Sequence, residues 1–160
     1  MKVADIQVVF REFPDEITLA LNISNCPCHC KGCHSTYLSQ DIGEVVNKEL
    51  LTTLIKKNPG ITCVGLMGGD ADPNEVVRVA KMIHEIDSRL KVGWYSGRDS
   101  LPNLLNVSGL DYIKLGHYDE DRGPLDNPNT NQRMYRVIEI EEQWYTLVDM
   151  TNLFWRKEVL

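Results

Sequence analysis

The chain has 160 residues, 42% hydrophobic and 25% charged, with a formal net charge of -6 and a sequence pI of about 5.2. A chain of this length buries a real core without disulfides or metal, so residues 1–160 are expected to form a single domain and any cofactor to serve function. The acidic balance, with no lysine or arginine cluster, lacks the electrostatic footprint of a nucleic-acid binder, and no apolar run approaches the roughly 18 residues of a membrane helix.

Residues 3–10 and 16–24 are rich in Val, Ile, Leu and Thr and flank the turn chemistry of Glu12-Phe-Pro-Asp-Glu16, which predicts two strands. The second runs directly into Asn25 and Cys26, so the loop that follows sits at a strand's C-terminal end. Parallel α/β sheets place their active sites there. That loop, Cys26-Pro-Cys-His-Cys-Lys-Gly-Cys33, holds four of the five cysteines. Thiols packed so closely, with no basic-then-apolar leader, point to a reducing cytoplasm and not to a secreted disulfide framework.

Two chemistries suit the loop. Thiolates at short spacing with His29 and His34 nearby supply more than the four ligands of a structural zinc ion. Alternatively, Cys26, Cys30 and Cys33, spaced C-x3-C-x2-C, supply three thiolates to a [4Fe-4S] cube that ordinarily takes four. One iron is then open to a small molecule, as the open position of a catalytic zinc is. Cys28, Cys30 and Cys33 also offer three sulfurs, and a fourth ligand from Cys28 or a histidine would seal the cube into a simple electron carrier.

Further along, Asp41-Ile-Gly-Glu44 has the form of a capping box and predicts a helix over 42–57, ended by Asn58-Pro-Gly60. The apolar run 61–67 predicts a buried parallel strand, in which Cys63 is inert packing. It ends at Gly68-Gly69-Asp70, where glycines let backbone approach a ligand and the carboxylate can accept from an ammonium group. Asp72-Pro-Asn-Glu75 opens a helix over 73–89, in which His84 is a satisfied surface histidine. A strand over 91–96 ends in Ser96-Gly97, and a brief helical turn over 101–106 leads to a strand over 111–115. A loop over 116–131 precedes a hairpin of 134–140 and 144–149, with Phe154 and Trp155 packed over the sheet. Alternating strands and helices read as right-handed parallel crossovers. Because a full barrel takes about 250 residues, the expected fold is α/β, an incomplete (open) parallel β/α barrel of about five units with a C-terminal β-hairpin.

The Cys26–Cys33 spacing resembles the signature of the radical S-adenosylmethionine (SAM) enzymes, and Gly68-Gly69-Asp70 resembles their Gly-Gly-Glu motif, with Asp one methylene shorter. The Gly32-Cys33 ending, Tyr112-Ile-Lys-Leu-Gly116, Gly123-Pro-Leu125 and Thr130-Asn-Gln-Arg133 together resemble the anaerobic ribonucleoside-triphosphate reductase activating proteins, from about Ile17 to Tyr135. The resemblance implies a radical SAM type barrel and an enzyme that uses a reduced [4Fe-4S] cluster to cleave SAM and leave a glycyl radical on the reductase. It implies cluster ligation by Cys26, Cys30 and Cys33, and SAM lined by Gly32, His34, Gly68, Gly69 and Asp70, with Ser96 in reach of the same ligand. Arg133 would meet a carboxylate or the reductase, and a reduced flavodoxin or ferredoxin would be the electron donor. Activation of another glycyl-radical enzyme of the pyruvate formate-lyase type is the nearest enzyme alternative, although some such activators carry ferredoxin-like cysteine motifs missing here. A non-catalytic zinc-binding module is the alternative of a different class.

Overall fold

The computed structural model describes residues 1–155. Among them, eight strands form one mixed sheet: β1 (Lys2–Val9), β2 (Thr18–Ile23), β3 (Glu44–Val45), β4 (Cys63–Met67), β5 (Lys91–Tyr95), β6 (Tyr112–Leu115), β7 (Arg133–Glu141) and β8 (Trp144–Asp149). The strand order is β3-β1-β2-β4-β5-β6-β7-β8. Only β2, β4, β5 and β6 are mutually parallel. β1 and β3 extend one edge antiparallel, and the β7–β8 hairpin extends the other.

This architecture corrects the expected incomplete parallel β/α barrel of about five units. Two α-helices, α1 (Lys48–Lys57) and α2 (Pro73–Ile86), are present among the described residues, and the remainder is mostly sheet. A parallel barrel needs a covering helix for each crossover. The segment between β5 and β6 contains no helix, and its Pro102 and Gly109 explain why, since both disfavour helix interiors. The expected helical turn over 101–106 is likewise extended and turn-like. At the other end, the short connection between β1 and β2 can only join antiparallel neighbours.

The start of α1 also differs from the capping box read at Asp41–Glu44. Glu44 and Val45 pair with Val3 and Lys2, so strand pairing claims their backbone. Asn47 then caps the helix, its side chain accepting from Leu50 N at 2.8 Å. α2 begins as its sequence predicts, with Asp72 accepting from Glu75 N at 3.1 Å and Pro73 in the first turn.

The two helices cover one face of the sheet. Their apolar stripes, including Leu51, Val76, Val79, Ala80 and Ile83, pack on Leu19, Leu21, Ile23, Val64, Leu66, Val92, Trp94 and Ile113. Among the described residues the opposite face carries no α-helix, only the short 3-10 turn Thr151–Trp155. There Phe13, fully buried, packs with Cys63, Tyr112, Leu125 and Met134, and Phe154 adjoins them. Phe13 can lie so low because Gly93 sits beneath it: a Cβ on Gly93 would come within 2.1 Å of the ring. The helix-free face is therefore where side chains of the strands remain open to a site.

Candidate functional site

The parallel strands end side by side, so the segments that follow them meet at one rim. Asn25 and the cysteine loop follow β2, Gly68-Gly69-Asp70 follows β4, Ser96-Gly97-Arg98 follows β5, and Gly116-His117-Tyr118 follows β6. Gly68 N donates to Tyr95 O at 3.0 Å, and Ser96 N donates to Lys114 O at 2.9 Å, so the strand ends are stitched together. Gly68 has φ +108°, and a Cβ there would stand 3.1 Å from Ile23 O. That backbone conformation and that proximity both favour glycine.

The cysteine loop is anchored at its entry. Cys26 N donates to Leu38 O at 2.9 Å and Asn25 N to Gln40 O at 3.1 Å, while the Asn25 side chain donates to Asp41 at 2.9 Å. Asn25 and His29 adopt left-handed backbone, φ 60° and 46°, turning the chain tightly so that four thiols share one loop. All four are free and partly buried. Cys33 N donates to Cys30 O at 3.2 Å, and Cys33 Sγ accepts from Ser35 N at 3.4 Å.

Cys28 differs from the other three. Its thiol faces Asp70 Oδ2 at 3.7 Å and lies where a Cβ on Gly97 would be, at 2.7 Å. Burial, and then the negative charge of Asp70, push the Cys28 thiol up to about 12. Cys63 lies in the core on β4, away from the loop, and burial raises its thiol to about 12 as well.

Asp70 is 1% exposed and braces the rim. It accepts from Ser96 Oγ at 2.5 Å and from Gly97 N at 2.8 Å. Arg98 reaches back over it, donating to Asp70 O at 2.7 Å. Ser96 is itself fully buried. Gly69 is buried and Gly68 half-buried beside them, whereas Gly32 and His34 are exposed on the cysteine loop. The His34 ring stands 5.5 Å from that of Tyr118, on the loop after β6. Across the same gap, Lys31 pairs with Glu120 at 2.9 Å. A cavity of about 250 Å³ lies between these two loops, lined by Cys28, Cys30, Lys31 and residues 117–121. A larger cavity, about 740 Å³, opens on the helix-free face around Phe10, Phe13, Tyr95, Leu125 and Phe154.

The structure thus brings Cys26, Cys28, Cys30, Cys33, Gly68, Gly69, Asp70 and Ser96 to one rim, with Gly32 and His34 on its outer side. Arg133 sits elsewhere in the hydrogen-bond scheme, with its guanidinium donating to Thr130 O at 3.0 Å and Gln132 O at 2.8 Å. The Thr130–Arg133 run serves as a clamp: the Asn131 side chain donates to His117 O at 3.1 Å, and Thr130 Oγ1 donates to Gly123 O at 3.1 Å. Sequence reasoning gave no role to Arg98, His117 and Tyr118, nor to Lys114, although Lys114 stands within the Tyr112–Gly116 run. The signal for them was positional, since each lies at the C-terminal end of a core strand.

Among the described residues no three His, Cys, Asp or Glu side chains converge as ligands of a single metal ion. One zinc ion would need that convergence. A cube takes each thiolate on a separate iron, and four free, partly buried cysteines on one loop beside a cavity fit that group.

The sequence model of a family described as "4Fe-4S single cluster domain" matches residues 17–106, more than half of the chain. That span runs from β2 through the cysteine loop and β5, and it contains every strand end of the rim except that of β6. No curated protein and no solved structure gave a significant match.

Proposed function

The chain belongs to the 4Fe-4S single cluster domain family, and on that premise we propose that it is a radical SAM activase, cleaving S-adenosylmethionine reductively and generating a glycyl radical on an anaerobic ribonucleoside-triphosphate reductase. The observation that carries this reading is the meeting of the cysteine loop with Gly68-Gly69-Asp70 and Ser96 at one strand-end rim. A loop that only stored electrons would have no use for a glycine-lined approach beside it.

On this reading Cys26, Cys30 and Cys33 hold the cluster and leave one iron open. The contacts of Cys28 with Asp70 and Gly97 support leaving it out of the ligand set. When bound, the cluster supplies the electron that SAM cleavage requires. The chain's own residues position and exclude. Gly32, His34, Gly68 and Gly69 line the SAM side, where the glycines admit backbone-close approach. Ser96, Gly97 and the Cys28 thiol all engage the Asp70 carboxylate, so Asp70 braces the rim on which SAM lies. Tyr118 and the Lys31–Glu120 pair tie the loop after β6 to the cysteine loop on the outer side. The reductase is the partner, and a reduced flavodoxin or ferredoxin is the electron donor.

The test is anaerobic reconstitution with iron and sulfide, followed by dithionite, SAM and the purified reductase. Chromatography reads 5′-deoxyadenosine and EPR reads the protein radical. Deoxyadenosine together with a glycyl-type doublet is the expected result. Deoxyadenosine without the doublet would move the target to another glycyl-radical enzyme, and neither product from an assembled cluster would leave electron transfer as the function.

A further inference from the structure

Among the described residues, Lys114 is a buried cation with no carboxylate in ion-pair contact. It lies on β6, 7% exposed, on the helix-free face, with Tyr95 of β5 and Met134 of β7 as its neighbours in register. Its ammonium donates to Gly116 O at 2.8 Å and stands 5.5 Å from the centre of the Tyr95 ring. That leaves most of its donor capacity unused. Asp70, the first of the carboxylates that act on it, is engaged by Ser96 and Gly97, and Asp99 is the other. Burial pulls the lysine down to about 8, against those anions. Its charge is held in the interior by a carbonyl, a ring face and carboxylates that already have donors of their own. A buried charge so weakly paired is costly, and it marks a place where a further anion belongs.

We propose that Lys114 is the resident counter-charge of the iron–sulfur cluster and raises its reduction potential. This rests on the reading that the cysteine loop holds the cluster. The cube with its three thiolates is already anionic, and reduction adds one more negative charge. The electron comes from a one-electron donor, here dithionite, which is oxidised as the cluster is reduced; no bond forms or breaks, and Lys114 keeps its proton. Lys114 O accepts from Ser96 N and its ammonium donates to Gly116 O, which fixes the charge at the strand-end rim that carries the cysteine loop, and an ammonium fixed there stabilises the reduced state more than the oxidised one. In a site shielded from water that interaction is only weakly screened. Net charge and local hydrogen bonding are the levers by which proteins set cluster potentials. Lys114 is thus a positioning charge for electron uptake and touches neither the reacting bond nor the open iron.

The experiment is an EPR-monitored redox titration of the reconstituted full chain and of Lys114→Met and Lys114→Arg, with iron and sulfide measured in each. Met preserves the length of the side chain without its charge. The expected result is wild-type iron content in all three, a midpoint shifted to more negative potential in K114M, and one near wild type in K114R. Loss of the cluster from K114M with retention in K114R would equally assign the role to the charge. Equal midpoints at equal iron content would overturn the proposal, as would loss of the cluster from both variants, which would make Lys114 a packing residue. A wild-type chain that takes up no iron and sulfide would instead overturn the cluster reading itself, and this inference with it.

Discussion

Ser96 Oγ donates to Asp70 Oδ1 at 2.5 Å in a setting where both side chains are sealed from solvent. This contact joins the end of β4 to the end of β5 and holds the glycine turn against the cysteine loop. Replacing Ser96 by Ala leaves one oxygen of a buried carboxylate short of a donor, which costs about 1–3 kcal/mol. Urea unfolding of S96A is expected to show a lower midpoint at unchanged slope. A wild-type midpoint would mean that Asp70 finds another donor and that the brace is dispensable.

The four loop cysteines should separate on mutation. Cys28 is turned toward Asp70 and Gly97, so Cys28→Ala is expected to keep the wild-type iron and sulfide content and the absorbance of the cluster after reconstitution. Ala at Cys26, Cys30 or Cys33 should each abolish it. A cluster lost from C28A but kept in C26A would transfer the third ligand to Cys28.

Glu16 forms a second polar network at the opposite end of the sheet, far from the rim. Its carboxylate accepts from Tyr112 OH at 2.7 Å and Thr62 Oγ1 at 2.6 Å, and also from the Lys91 ammonium. Burial tends to raise this carboxyl, but the hydrogen bonds from Lys91, Thr62 and Tyr112 prevail and hold it below the usual 4.5. The folded state therefore binds the proton less readily than the unfolded chain. The stabilisation is complete above the unfolded value and is lost as pH falls through the lower folded value. Glu16→Gln is expected to cost about 1.5–3 kcal/mol at neutral pH, the range for hydrogen bonds to a charged group, and to flatten the loss of stability as pH falls below about 5. Thermal unfolding across this range is the measurement, and parallel curves for the two proteins would count against the network.

Phe13 and Gly93 form a matched pair on the helix-free face. A Cβ on Gly93 would stand 2.1 Å from the Phe13 ring, and Phe13 is wholly buried. Phe13→Ala is expected to cost about 3–5 kcal/mol by cavity formation, and Gly93→Ala about 1–3 kcal/mol or more by overpacking. Because the two changes share one space, the double variant should be less destabilised than the sum of the singles. Additive losses in chemical denaturation would show that the ring and the glycine act independently.

Much of the site was legible in the sequence because its signals are local. Thiol spacing within eight residues, the Asp72-Pro73 helix start and a glycine pair after an apolar run each depend on near neighbours, and the structure places each of them on the segment the sequence indicates. The C-terminal hairpin was legible for the same reason, as two alternating runs separated by a short turn. The α1 start was not, because the backbone of Glu44 and Val45 is claimed by β1, more than forty residues earlier.

What the chain order alone determined is which residues become strands and which strand ends carry soft ligands, small residues and carboxylates. The tertiary structure decided the direction of pairing, and with it the mixed sheet in place of a barrel, since a two-residue period says that a strand has a buried face but not which neighbour lies beside it. It also decided that Asp70 is held by Ser96 and Gly97, that Cys28 turns inward, and that Lys114 is buried at the end of β6. Those three facts depend on contacts between strand ends distant in sequence, where burial and hydrogen-bond competition set the properties of a side chain more strongly than its residue type does.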